Sequence, residues 1–295
     1  MGAQADEARV VKDERPSFTA AWVAAARTFG ELLPDELHLA DDPYGAAFAK
    51  TRLHERLRDT QIGRTLALSP GLGTWIMYMQ VRTRVLDDIA RAFAKREGAQ
   101  LVLLGAGYDT RALRLSLGMR VFEVDHPATQ RRKQRVLDRL GTHSPATYVT
   151  WDFEQRPMDE LADALADAGL DRDKPVLTIW EGVTMYLSEG AIEASLAAIR
   201  EFGGAGSQLA MTYFERERID RPHWMMRIVR TAVRGIGEPF VWGWDHEQLP
   251  AYLAERGFRV VANRSVETAA LDYVPERIAK LTRARNSCIA LADVI

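Results

Sequence analysis

The run LVLLGAGYDTR at residues 101–111, followed by VFEVD at residues 121–125, predicts the fold of this 295-residue chain. A short apolar run that ends at a glycine is typical of a strand covered on both faces in a parallel sheet. Gly105 and Gly107 allow a close turn into a helix whose first N–H groups face outward. Asp125 follows Gly105 by 20 residues, a separation at which a carboxylate can bind both hydroxyls of a ribose. The stretch therefore predicts a site for a nucleoside-containing cofactor.

The third position of the glycine turn narrows the choice of cofactor. A dinucleotide site needs glycine there, because the helix must approach the strand closely and bind a pyrophosphate at its N-terminus. Thr110 occupies this position, which disfavours a nicotinamide dehydrogenase. It suits a nucleoside without phosphate, such as S-adenosylmethionine (SAM). On this motif alone, a glycine turn that binds no ligand remains the alternative.

The composition is typical of a globular catalytic domain. Apolar residues make up 47% of the chain and charged residues 27%, with a net charge of −2, so we expect no nucleic-acid partner. We expect a cytoplasmic protein that binds no membrane, because no apolar leader or membrane-length apolar run is found. Cys288 is the only cysteine, and no group of His, Asp and Glu has metal-ligand spacing, so we also expect no metal.

Strands and helices alternate from residue 98 onward, which predicts an α/β sheet. The expected strands cover residues 101–104, 120–124, 147–150, 175–180, 207–213, 258–263 and 286–293. The expected helices cover residues 18–33, 75–96, 109–117, 127–140, 158–168, 189–202 and 245–256. We expect one domain over residues 1–295, with a flexible N-terminus (1–16), a helical cap (17–97), a Rossmann-like core (98–295) and a substrate-covering insertion (214–244).

Seven short segments share their order and residues with one enzyme family. They are DDPY at 41–44, VRTRVLDD at 81–88, LGAGYDTR at 104–111, FEVDHP at 122–127, WDF at 151–153, EGVTMYL at 181–187 and GEPF at 237–240. The chain resembles the leucine carboxyl methyltransferase family of class I SAM-dependent enzymes, which includes bacterial polyketide-type carboxyl methyltransferases. The resemblance covers the chain from about residue 17 onward. It implies a class I methyltransferase fold, with helices on both faces of a seven-stranded, mostly parallel sheet whose last strand is antiparallel to its neighbour.

The candidate cofactor contacts come from strand ends and from the resemblance. Asp152 and Phe153 follow the third strand, where such folds bind adenine, and His126 lies beside Asp125. Asp125 itself has a second interpretation, as a cap for the helix that follows it. The resemblance implies that Glu181 binds the amino group of SAM and that Arg82 pairs with its carboxylate. The complete set is Arg82, Gly105, Ala106, Gly107, Asp125, His126, Asp152, Phe153 and Glu181.

The candidate acceptor contacts are less specific. Tyr186 matches the tyrosine of the family segment at 181–187, and Tyr213 ends the fifth strand, facing the insertion. His223, inside the insertion, is the candidate general base. The insertion also contains Trp224, Met225, Met226, Trp242 and Trp244, which suit an apolar pocket, and Arg216, Arg218, Arg227 and Arg230, which could bind a carboxylate.

The expected activity is SAM-dependent O-methylation of a small-molecule carboxylic acid, aromatic or polyketide-like, by a monomer or homodimer. A carboxylate, with a pKa near ~4, is ionised at neutral pH and needs no general base. A phenol, with a pKa near ~10, needs one. The first alternative is therefore a phenolic O-methyltransferase that uses His223. The second is a SAM- or nucleoside-binding protein without transferase activity.

Overall fold

The central element of the chain is a seven-stranded sheet, seen in a computed structural model that describes residues 18–49, 53–153, 155–220 and 240–295. The strands are β1 (Gln100–Leu104), β2 (Arg120–Asp125), β3 (Thr147–Thr150), β4 (Val176–Trp180), β5 (Gln208–Phe214), β6 (Phe258–Ser265) and β7 (Ser287–Val294). Their order is β3-β2-β1-β4-β5-β7-β6, and β7 is antiparallel to both of its neighbours. The mostly parallel sheet and its antiparallel last strand are confirmed.

The strand order places a ligand crevice beside β1. This strand pairs with β2 on one side and with β4 on the other, so the chain reverses its direction across the sheet at β1. In open α/β sheets, ligands bind outside the carboxyl ends of the strands at such a reversal. Asp125 ends β2 and Glu181 follows β4, so the two acids lie at this edge on either side of the glycine turn.

Helices cover both faces of the sheet, as expected. The helices are α1 (Phe18–Thr28), α2 (Gly45–Phe48), α3 (Leu53–Leu57), α4 (Gln61–Ala67), α5 (Leu72–Phe93), α6 (Arg111–Arg114), α7 (Pro127–Arg139), α8 (Leu161–Asp167), α9 (Glu189–Phe202), α10 (Arg216–Asp220), α11 (Leu249–Ala254), α12 (Val266–Ala270) and α13 (Glu276–Ala279). One core contains α1, α5, α12 and α13, a second contains α8, α9 and α11, and a smaller one joins α1, α2 and α7. No helix in the described ranges combines the length and apolarity needed to cross a bilayer.

The N-terminal helices contact the glycine turn directly. The ring of Phe48, at the end of α2, stacks on Tyr108 with centroids 4.6 Å apart. Arg27 of α1 donates a hydrogen bond to the Tyr108 carbonyl at 2.6 Å and pairs with buried Asp42. The long helix α5 packs its apolar side against the sheet. The predicted cap thus contains two parts, short helices over the turn and one long helix in the core.

The helix predicted at residues 109–117 is wrong in its length, because only α6 forms there. Asp109 Oδ1 accepts a hydrogen bond from the Arg111 backbone N–H at 2.7 Å, which keeps Asp109 and Thr110 in the turn. The helix ends at Leu115, whose backbone is extended (φ −107°, ψ 117°). The short helices α12 and α13, between β6 and β7, were not predicted.

Gly105 combines a left-handed backbone with a close neighbouring side chain, so a side chain there is expected to be costly. Its φ is +70°, and a Cβ there would lie 2.5 Å from Val183 Cγ2. Gly118, with φ +66°, has no atom within 4 Å of such a Cβ, so Gly118→Ala is a matched control for backbone strain alone. Gly105→Ala should therefore lower the free energy of unfolding by about 1–3 kcal/mol more than Gly118→Ala.

Urea unfolding curves of the two variants measure this difference through their midpoints at equal slopes. Equal losses of stability in both variants would show that the contact with Val183 relaxes without cost.

Candidate cofactor and acceptor site

Glu181 lies directly after β4 between two arginines. Arg82 Nε, on α5, is 2.7 Å from Glu181 Oε1, and Arg111 Nη1, on α6, is 2.6 Å from Oε2. The contact with Arg111 is a hydrogen bond, whereas the contact with Arg82 is an ion pair without hydrogen-bond alignment. All three side chains are at least nine-tenths buried. Two residues predicted from the resemblance, Arg82 and Glu181, are thus adjacent.

Further buried charges extend this arrangement. Arg111 Nε donates a hydrogen bond to Asp87 Oδ1 at 2.8 Å, and Arg111 also pairs with Asp109. Arg114 Nη2 donates to the same Asp87 oxygen at 2.7 Å. We call Arg82, Asp87, Asp109, Arg111, Arg114 and Glu181 the Glu181 cluster. Its three guanidinium groups balance its three carboxylates, as buried charges require.

Glu181 and Arg111 remain ionised near neutral pH. Burial by itself would raise the pKa of Glu181, but the guanidinium groups of Arg111 and Arg82 outweigh it and place this pKa far below its usual range. Burial likewise favours neutral Arg111, yet Asp109 and Glu181 raise the pKa of its guanidinium well above the usual value. The carboxylate of Glu181 is therefore available for a cationic ligand group throughout the neutral pH range.

Asp125 binds the glycine turn rather than the helix that follows it. Its Oδ2 accepts a hydrogen bond from the Gly107 N–H at 2.6 Å, and its Oδ1 accepts one from the His126 N–H at 2.7 Å. The N-cap of α7 is His126, whose Nδ1 accepts from the Ala128 N–H at 3.1 Å. The helix-cap interpretation of Asp125 is wrong. Since a carboxylate has about four lone-pair positions, two remain for ligand hydroxyls.

Burial raises the pKa of Asp125, although the backbone N–H groups of Gly107 and His126 act in the opposite direction. The two acids that flank the glycine turn therefore differ in their response to acid. Glu181 keeps its charge at low pH, whereas Asp125 gains a proton at a higher pH than an ordinary aspartate does.

The residues predicted near adenine lie together beside Asp125. His126 Nε2 is 3.6 Å from Asp152 Oδ2, and the Trp151 N–H donates to the Asp125 carbonyl at 2.9 Å. Phe153 is half-buried against the core on the α8 and α9 face. These positions form a contiguous edge after β2 and β3.

The glycine turn connects the two halves of the site. The Gly105 and Ala106 N–H groups both donate to the Val124 carbonyl, at 2.9 and 3.0 Å, which fixes the turn against β2. Arg111 Nη2 and Arg82 Nε are buried and have no hydrogen-bond partner among the described residues. A ligand with a nucleoside at one end and an amino acid at the other fits this set of donors and acceptors, and SAM is such a ligand.

The rings of Tyr186, Phe214 and Phe240 form a cluster beside the loop that follows Glu181, which we call the aromatic wall. The Tyr186 ring lies 5.3 Å from the ring of Phe240, which lies 5.4 Å from that of Phe214 at the end of β5. The Val241 N–H donates to the Met185 carbonyl at 2.8 Å and joins this wall to the loop after β4. Tyr186 thus lies among aromatic rings, and its role toward a substrate stays a prediction.

Arg216 adds a positive charge to the aromatic wall. Its guanidinium carbon lies 5.2 Å from the centroid of the Trp242 ring, and no carboxylate of the described chain forms an ion pair with it. The backbone N–H of Trp242 donates to the Met185 carbonyl at 3.3 Å. The side chain of Arg218 lies outside the described residues, as do His223, Trp224, Met225, Met226, Arg227 and Arg230.

The hydroxyl of Tyr213 lies in a polar group with His246 and Asn263. It donates a hydrogen bond to Asn263 Oδ1 at 2.8 Å and lies 3.1 Å from His246 Nδ1. Burial, followed by the neighbouring Cys288, raises the pKa of the Tyr213 hydroxyl far above its usual range. This hydroxyl is therefore a neutral hydrogen-bonding group.

Several residues of the site were missed by the sequence analysis. Arg111, Arg114, Asp87 and Asp109 complete the Glu181 cluster, although three of them stand in the family segments at 81–88 and 104–111. The available signal was the presence of charged residues in segments that otherwise read as buried. That signal indicates that charged side chains are buried, but it does not identify the ion-pair partner of each one.

Comparisons with known proteins agree with the fold and the cofactor. Residues 20–200 match the family model described as leucine carboxyl methyltransferase. A relative from Mycolicibacterium smegmatis, provisionally named a SAM-dependent methyltransferase, is 31% identical over 278 residues, which is 90% of this chain and 91% of the relative. A provisionally named SAM-dependent methyltransferase from Streptomyces coelicolor is 39% identical over 145 residues, about half of each chain (48% and 50%).

A solved structure shows the same fold. The crystal structure of a provisionally named methyltransferase from Thermobifida fusca superposes with a TM-score of 0.57 at 19% identity, and the alignment covers 95% of this chain and 96% of that chain. The class I methyltransferase fold is thereby confirmed.

The affinity for SAM should fall in mild acid because of Asp125. Below its raised pKa the carboxyl group is neutral and one of its oxygens carries a proton, so it loses charge and acceptor capacity and binding weakens as the pH falls through that value. Calorimetric titrations between pH ~4 and ~6.5 measure this loss, with the ligand amino group protonated throughout. Asp125→Asn should bind SAM about tenfold more weakly at pH ~6.5 and show a much smaller pH dependence.

Glu181→Gln is the matched control, because the lowered pKa of Glu181 places its titration below this range. This variant should bind more weakly at every pH but keep the acid dependence. An unchanged pH dependence in Asp125→Asn would contradict the role of Asp125.

Proposed function

The chain belongs to the leucine carboxyl methyltransferase family, and from this premise we propose that it methylates the carboxylate of a small-molecule acid. It is a SAM-dependent methyltransferase. The acceptor class is the part that we infer, and the residues around the aromatic wall support it.

The cofactor roles follow from charge and hydrogen-bonding capacity. Asp125 would accept from the ribose hydroxyls with its two remaining lone-pair positions. Glu181 would accept from the ammonium group and Arg82 would pair with the carboxylate, in the two-pronged geometry that guanidinium favours. The amino-acid end of SAM carries one charge of each sign, so its entry leaves the Glu181 cluster balanced. His126, Asp152 and Phe153 would contact adenine.

The observation that carries the acceptor proposal is Arg216 over Trp242, beside the loop that carries Tyr186. Arg216 lies between Glu215 and Glu217 in sequence, yet it pairs with neither and stacks on the indole. A cation next to aromatic rings complements a planar acid, because the rings contact the apolar body and the guanidinium pairs with the carboxylate.

The reaction requires positioning more than acid–base chemistry. SAM supplies, when bound, a methyl group on a sulfonium, which has a neutral leaving group. A carboxylate is already ionised at neutral pH, so the chain need only align the acceptor oxygen and exclude water. The carboxylates of Glu181 and Asp125 would hold the cofactor, and the aromatic wall would hold the ring of the acceptor.

A product test distinguishes an ester from an ether. The chain is incubated with methyl-labelled SAM and a panel of aromatic and polyketide-like acids, each matched by the phenol with the same skeleton. We expect labelling of acids, with the label released as methanol by mild alkali, because esters hydrolyse and aryl ethers do not. The rate should be flat between pH ~6 and ~8.5, where the acceptor stays ionised.

Alkali-stable products formed from the phenols alone, at a rate that rises with pH, would overturn the carboxyl proposal. The phenolic alternative would then be tested through His223→Ala, which should abolish the pH-dependent rate.

Removing the positive charge of the aromatic wall should weaken acceptor binding. Arg216→Ala is expected to raise the KM for the acid about tenfold, the loss of one charge-assisted hydrogen bond, with the Kd for SAM unchanged. Arg259→Ala is the control, since Arg259 pairs with Asp293 at the far edge of the sheet. Initial-rate kinetics and calorimetry separate the two constants, and an unchanged KM would contradict this role of Arg216.

A further inference from the structure

We propose that Glu215, His246 and Cys288 form a zinc-binding site at the end of β5. Glu215 directly follows β5, His246 precedes α11, and Cys288 lies at the start of β7. One donor atom from each residue lies within 4.8 Å of the other two. The expectation of no metal was based on spacing along the sequence, and the fold brings these three distant positions together.

The distances between the donor atoms fit a tetrahedral ion. Cys288 Sγ lies 3.7 Å from His246 Nδ1 and 4.0 Å from Glu215 Oε1. With Zn–S near ~2.3 Å and Zn–N or Zn–O near ~2.0–2.1 Å, tetrahedral ligands lie about 3.6 Å from one another. The two distances from Cys288 Sγ are within a few tenths of an ångström of this value, and the donor atoms of Glu215 and His246 lie within 4.8 Å of each other.

The donor types favour zinc over hard cations. A thiolate, an imidazole and a carboxylate are typical zinc ligands, whereas Mg²⁺ and Ca²⁺ take oxygen ligands. Glu215 and His246 also line an open pocket of about 320 Å³, together with Glu217, Asp245, Glu247 and Gln248. The fourth ligand position can therefore be filled by water from this pocket.

A neighbouring hydrogen bond holds the backbone of the histidine. Asn263 Nδ2 donates to the His246 carbonyl at 3.0 Å, and Asn263 Oδ1 accepts from Tyr213. Coordination uses the lone pair of His246 Nδ1, so the ring proton lies on Nε2. The thiol of Cys288 loses its proton to solvent, and Tyr213 keeps its bond to Asn263.

The ion would fix one side of the acceptor region. His246 follows Trp244 by two residues, and Trp244 packs edge-on against Tyr213 and Trp242. A bond from zinc to His246 would therefore tie this aromatic segment to β5 and β7. The inference does not depend on which acceptor is methylated, since it is argued only from the donor atoms of Glu215, His246 and Cys288.

Calorimetry on the untagged full chain, stripped of metal with a chelator, tests the site with Zn²⁺ alone. We expect one ion per chain and release of about one proton, measured from buffers of different ionisation enthalpy. Cys288→Ser and His246→Gln should each weaken binding on the order of 100-fold or more. His143→Gln, whose exposed ring pairs with Asp138, is the control and should bind zinc normally.

Cobalt substitution of the wild-type chain reports the thiolate without any variant. A thiolate-to-cobalt charge-transfer band is expected, and Cys288→Ser should lose it while still binding SAM. Zinc affinity equal in wild type and Cys288→Ser, or a cobalt complex without this band, would overturn the proposal and assign binding to the pocket carboxylates. Methyl transfer is measured separately, so its absence would bear on the proposed function and not on the zinc site.

Discussion

The balanced set of buried charges around Glu181 is the constraint on which the rest of the structure depends. Arg111 is 1% exposed and contacts Glu181, Asp87 and Asp109 at once, so it joins β4, α5 and the glycine turn. Buried ions are costly unless each has a partner, and removal of one leaves another unpaired. The cluster therefore fixes how α5 packs beneath the turn and where the Glu181 carboxylate points.

The same buried charges explain why the two acids of the site respond differently to pH. Glu181 remains ionised because its arginines are close, whereas Asp125 depends on two backbone N–H groups, those of Gly107 and His126. Gly107 lies in the turn after β1, between the two acids, and its N–H donates a hydrogen bond to Asp125. The two carboxylates proposed to bind the amino-acid end and the nucleoside end of SAM are thus held at a separation set by one turn. The acceptor region beyond Tyr186 is built from aromatic packing instead of buried charge.

The sheet and the two carboxylates could be predicted from the sequence because they follow local rules. Apolar runs bounded by glycine located the strands, and the acids at their ends located the ligand edge. The length of α6 could not be predicted, because a hydrogen bond from the Arg111 backbone N–H to the Asp109 side chain keeps Asp109 and Thr110 out of the helix. The meeting of Glu215, His246 and Cys288 depends on the antiparallel return of β7, and the partners of Arg111 depend on the packing of α5. Both are tertiary facts that residue spacing does not encode.

The central claim is that the Glu181 cluster recognises the amino-acid end of the cofactor. Calorimetric titration with SAM and with methylthioadenosine, which lacks that end, measures this contribution directly. We expect wild type to bind SAM at least about 100-fold more tightly, and Glu181→Gln to lose most of that difference while binding methylthioadenosine normally. Equal affinities of the two ligands in wild type would contradict the account.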